Sequence, residues 1–95
     1  MNNPPKLYDL LISMEQAAAR HDKNDVIRIR GEFVAEYDRH YTSRYEKGSL
    51  PDLYDTARNK LLNSIDTTLF PSPADRQREL VMSRAIIAKI PKPEL

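Results

Sequence analysis

The sequence predicts an all-α fold, a small four-helix bundle of antiparallel up-down helices with short loops. Three observations carry this reading. All seven prolines lie at segment edges: Pro4 and Pro5, Pro51, Pro71 and Pro73, Pro91 and Pro93. A proline ring fixes φ and removes a backbone donor, so it suits the first turn of a helix and is excluded from its interior. Between those edges apolar residues recur at three- and four-residue steps. No stretch alternates strictly, as a half-buried strand would.

The first helix is expected over about 4–20. Asn3 reads as its N-cap with Pro4 at the first helical position. Leu7, Leu10, Leu11, Met14, Ala17 and Ala18 fall on one face. His21 to Asn24 reads as a turn, with Asp22 or Asn24 as the next cap. The second helix is expected to be the longest, over about 25–47 and projecting beyond the bundle. Its row Ile29, Phe33, Tyr37, Tyr41 and Tyr45 drifts about 40° per four-residue step, so its two ends meet different neighbours. Gly31 sits off this arc, where close helix contact, a slight kink and plain tolerance are all compatible with it. Gly48 reads as the residue after the helix end, since it takes positive φ without penalty.

Ser49, Pro51 and Asp52 restart the chain as a helix over about 50–69, with serine as cap and an acid in the first turn. Leu50, Leu53, Tyr54, Ala57, Leu61, Ile65 and Leu69 form its amphipathic stripe. Ser72, Pro73 and Asp75 repeat the signal for a fourth helix over about 73–90, and residues 91–95 read as an extended tail. The whole, 1–95, is one helical domain.

Composition bounds the function. Ninety-five residues bury only roughly 60–65% of their unfolded surface, so the core is modest and a second subunit would help it. Fifteen basic against 14 acidic residues give a net charge of +1, without the basic excess of a dedicated nucleic-acid binder. The absence of cysteine excludes disulfides, thiolate catalysis and cysteine zinc sites. No apolar run has the length of a membrane span or a secretory core. A soluble, cytoplasmic protein without membrane association is expected.

Two segments stand out. Between Leu80 and Ile90, eight of eleven residues are apolar and surround the helix axis. A helix apolar all round is buried all round. It is therefore either a central helix, with Ala85 and Ala88 permitting close packing, or one with a flank that forms an interface. A strand is the minor alternative, because β-branched residues are frequent there. Arg84 lies within this patch, as interface anchors do, or its head reaches water. In the second segment Tyr37, Tyr41 and Tyr45 are interleaved with Arg39, His40 and Arg44. Such a pattern stacks bases and neutralises phosphates, or packs at a bundle end with its hydroxyls reaching water. Glu36, Asp38 and Glu46 oppose phosphate and favour a protein partner.

Catalysis has no foothold. His21 and His40 lack ligand spacing, no glycine-rich phosphate loop or HExxH is present, and no nucleophile, base and orienter can be named together. Asp52 and Asp55 share a helix face, but first-turn acids serve the macrodipole. No cofactor and no metal are expected. The expected function is that of a non-enzymatic protein–protein interaction module, a regulator, inhibitor or adaptor, acting as a homodimer. Its interface residues are Val81, Arg84 and Ile87 on the last helix, and Tyr37, His40, Tyr41 and Arg44 on the second. The alternative is a nucleic-acid-binding regulator presenting Arg28, Arg39, Arg44 and Arg76 to phosphate.

Overall fold

Periodicity and proline placement translate into four helices: α1 (Pro5–Ala19), α2 (Lys23–His40), α3 (Leu50–Ile65) and α4 (Pro73–Ile87). They are seen in a computed structural model that describes residues 3–42 and 45–93. No strand occurs among the described residues. The helices form two hairpins, α1 with α2 and α3 with α4. Helices α1 and α3 also touch each other, α1 reaches α4, and α2 meets α3 least of all, while α2 and α4 do not touch. Thus α1 and α3 lie along the central diagonal. The radius of gyration, 12.8 Å, is close to the ~12.4 Å expected of a compact domain this size.

The core follows the apolar faces. Leu7, Leu11, Met14, Ala17 and Ala18 of α1 meet Val26, Ile29 and Phe33 of α2, Tyr54, Ala57 and Leu61 of α3, and Leu80 and Ile87 of α4. The central helix is therefore α1, not α4. Its two buried alanines do what Ala85 and Ala88 were expected to do, and those two are exposed.

Local signals set the ends, with several corrections. The cap of α1 is Pro4, with Pro5 at the first helical position. Asn3 instead accepts a hydrogen bond from the Tyr54 hydroxyl and donates to the Pro91 carbonyl. The α1 end is a Schellman motif. His21 N–H donates to Ala18 O and Asp22 N–H to Ala17 O, both at 3.0 Å, and His21 takes the left-handed φ of 58°. Asp22 then caps α2, accepting from Asp25 N–H at 3.1 Å.

Helix α2 stops at His40, seven residues short of the expected 47, because Tyr41 is extended (φ −134°, ψ 121°) and its ring turns into the core. Tyrosine and threonine are weak helix formers, so Tyr41-Thr42 offers little to hold the helix against that burial. The helix therefore does not project. It runs unbroken through Gly31, whose missing Cβ would meet nothing within 4 Å, so the glycine is merely tolerated. Gly48 has the positive φ, 86°, but it enters α3 instead of closing α2. Ser49 and Ser72 occupy the N-cap positions of α3 and α4 without a side-chain cap bond. Asp52 supplies the bond at α3, accepting from Gly48 N–H at 2.8 Å.

Helix α3 ends four residues early, at Ile65. The Asp66 carboxylate accepts from the N–H groups of Thr68 (2.8 Å) and Leu69 (3.0 Å), an Asx turn that competes with helix. The Thr68 hydroxyl also donates to this carboxylate, at 2.6 Å, and that bond first, then the two N–H bonds, holds the Asp66 carboxyl below its usual range. Helix α4 tightens after Ile87 into a turn that buries Ile90, with Ile90 N–H donating to Ile87 O at 3.0 Å.

Candidate interaction site

The row Phe33, Tyr37, Tyr41 and Tyr45 begins on α2 and continues past its end. Four-residue spacing stacks side chains on one face of a helix, and past the break at Tyr41 each ring still meets the one before it. Phe33 and Tyr37 stack with centroids 6.1 Å apart, while Tyr37–Tyr41 (5.0 Å) and Tyr41–Tyr45 (5.6 Å) meet edge to face. Tyr54 of α3 joins at 6.2 Å from Phe33. The result is a continuous aromatic wall of the offset kind that rings prefer.

Hydroxyls fix the wall. Tyr37 donates to the Pro51 carbonyl at 3.2 Å, and Tyr45 accepts from Thr42 N–H at 3.1 Å. Burial pushes the Tyr37 hydroxyl up to about 12, helped by the negative field of Asp55. Burial, then Tyr45, raises Tyr41, and burial raises Tyr54 well above the ordinary tyrosine value. All three therefore stay neutral near neutral pH. Tyr41 is only 5% exposed, and its hydroxyl has no hydrogen-bond partner among the described residues.

Tyr37, Tyr41 and Tyr45 line an open cleft of about 740 Å³ between the end of α2 and the start of α3, completed by Asp38, Thr42, Asp52 and Asp55. Asp38 is exposed on the rim. Asp52 accepts from Gly48 N–H and, at 3.4 Å, from the Thr56 hydroxyl. Asp55 is paired with Arg58. A smaller cavity of about 100 Å³ shares Tyr37, Asp38 and Asp55 and adds Phe33, Val34 and Arg58. No group of three histidine or carboxylate side chains among the described residues is placed to hold a metal ion.

The expected interface residues fare unequally. Tyr37 and Tyr41 line the cleft. His40 sits outside it, with Nε2 3.9 Å from Glu36 and its ring tilted against Tyr41. Arg44 lies outside the described residues. On α4, Val81 is 53% exposed whereas Ile87 is 9% exposed and part of the core, so they do not share a surface. Arg84 is exposed and its Nε donates to Glu15 at 2.6 Å, tying α4 to α1. The inner face of α4 is partly polar: Glu79 accepts from Asn63 at 2.7 Å and Lys60 at 3.3 Å, and Ser83 donates to Leu80 O. The apolar residues this displaces, Val81, Met82, Ala85 and Ala88, face outward. The α4 helix is therefore not buried all round.

The sequence does not reveal that the carboxylates of two helices meet at one cleft. Asp52 and Asp55 look like first-turn acids, and nothing in the order of residues brings them to Tyr37 and Tyr45. The visible signal was the tyrosine row. Of the cations beside it, Arg39 pairs with the buried Glu36 at 3.2 Å. No protein family, curated protein or solved structure matches this chain. No helix among the described residues is long and apolar enough to cross a membrane.

Proposed function

We propose that the chain is a non-enzymatic protein–protein interaction module, a regulator, inhibitor or adaptor of the cytoplasm, that docks a partner at the tyrosine-lined cleft. The single observation that supports this is the wall of three tyrosines beside an open cleft. Tyrosine offers a large apolar face, a polar tip and few rotamers to lose, which is why it is enriched in interface anchors. Occlusion of the bound partner segment is the mechanism.

The exposed flank of α4 is the weaker candidate and the one left for self-association. Val81 and Met82 (40% exposed) are its only large exposed apolar side chains among the described residues, and a stable interface needs roughly 800 Å² from each partner. Phosphate binding draws little support. Arg28 is engaged by Asp25 and Glu32, Arg39 by Glu36, and Arg76 by the carbonyls of Phe70 and Pro71.

Affinity capture from source cells tests the reading with three baits of matched helical content. Wild type and Val81→Asp are expected to retain the same partner, and Tyr45→Ala to lose it. A partner kept by Tyr45→Ala and lost by Val81→Asp transfers the docking site to α4.

A further inference from the structure

Resting on the cleft as the docking site, we infer that its occupant is an extended basic segment of the partner protein that lays an arginine side chain along the tyrosine wall. Charge complementarity carries this first. Asp38, Asp52 and Asp55 line the cleft, and no lysine or arginine is among its described lining residues. No ion pair among the described residues involves Asp38 or Asp52. In a protein of net charge +1, this is a local field that opposes the overall charge. It attracts cations and repels phosphate.

The wall selects among cations. Successive tyrosine rings touch edge to face, at 5.0 and 5.6 Å between centroids, so they enclose no gap of the kind that holds a trimethylammonium group. They do present ring faces on which a planar guanidinium stacks, while its fork of donors reaches carboxylates. The carboxylate half of that chemistry already occurs next door. Arg58, 18% exposed in its side chain, lies along the adjoining cavity paired with Asp55, beside Phe33 and Tyr37.

Tyr41 contributes its ring to the wall and keeps its hydroxyl inside. It lines the cleft, is almost fully buried, and its hydroxyl lacks a partner among the described residues. The hydroxyl is closed to solvent, so a guanidinium in the cleft meets the half-buried rings of Tyr37 and Tyr45 and not this oxygen. The cleft volume, about 740 Å³, is in the range that takes a whole ligand of some hundred Å³ or more, so it admits the residues flanking the arginine as well.

Fluorescence anisotropy with three labelled octapeptides, alternating serine with arginine, lysine or glutamate, tests this on the full chain. Tyrosine-ring NMR locates the binding. The arginine peptide is expected to bind, to shift the Tyr37 and Tyr45 rings, and to weaken as salt rises. It should exceed the lysine peptide by about fivefold, the worth of one cation–π contact of about 1 kcal/mol. Asp38→Asn, an exposed change, should weaken it about three- to fivefold. The glutamate peptide should not bind. Absence of arginine-peptide binding, equal binding by Asp38→Asn, or equal affinity for lysine overturns the inference. A partner captured through Tyr45 that proves acidic or neutral at its contact segment overturns the inference and leaves the cleft reading standing. Capture indifferent to Tyr45 removes the cleft reading itself.

Discussion

Tyr41 combines a ring that the core needs with a hydroxyl that the core leaves without a partner. Leaving a buried hydroxyl unsatisfied costs about 1–3 kcal/mol. Tyr41→Phe keeps the ring and removes the orphan, so it is expected to stabilise the protein by about 1 kcal/mol, which raises Tm by about 4–8 °C for a domain of this size. Differential scanning calorimetry reads this directly, and a lower Tm would mean that the hydroxyl is satisfied in solution. Because the hydroxyl is closed to solvent, the same variant is expected to bind the arginine peptide as the wild type does. Ser49 is a second such case. Its hydroxyl is also buried without a partner among the described residues, and it lies away from the cleft lining, so no binding role attaches to it.

Helix α4 shows how far periodicity can be pushed. Leu80, Ile87 and Ile90 are buried, Val81 and Met82 are exposed, and the inner face also takes in Glu79 and Ser83. Ile87→Asp places an unpaired charge in the core and is expected to cost about 3–5 kcal/mol, enough to unfold a marginal domain. Val81→Asp is expected to change stability by less than about 0.5 kcal/mol. Urea titration followed by circular dichroism separates them, and equal losses would mean that Val81 is covered in solution. The four helices, the proline-marked starts of α3 and α4, and a cap for α2 at Asp22 or Asn24 were legible in sequence because short-range backbone chemistry decides them. The inward face of α4 was not. It depends on Lys60 and Asn63 of α3 being placed to satisfy a buried Glu79, and a helical wheel of α4 contains no trace of either. The early end of α2 was hidden for a similar reason. An unbroken helix would have carried Tyr41 onward along its drifting arc, whereas in the fold its ring turns into the core against Tyr37. The cleft shares this origin, since its acids and its tyrosines come from different helices.

At the scale of the molecule, the tyrosines make the fold alkali-sensitive. Tyr37, Tyr41 and Tyr54 hold their protons to higher pH when folded, chiefly through burial, than in the unfolded chain, where tyrosine titrates near pH 10. Above that pH the unfolded state binds fewer protons than the native one, so stability falls as pH rises. The contribution is whole below pH 10 and is lost on the way to the folded value of about 12 for Tyr37. Loss of helical circular dichroism is expected in that window, coincident with tyrosinate absorbance. Tyrosinate appearing while the helices persist would show that the rings ionise without leaving the core. The seam between the hairpins gives the cleft a further meaning. Helix α2 belongs to one hairpin and α3 to the other, and they share the thinnest contact of any touching pair. The cleft spans that seam, with Tyr37 and Asp38 on one bank and Asp52 and Asp55 on the other. Whatever fills it acts as a clasp across the two halves, so occupancy would be transmitted to the whole bundle as rigidity.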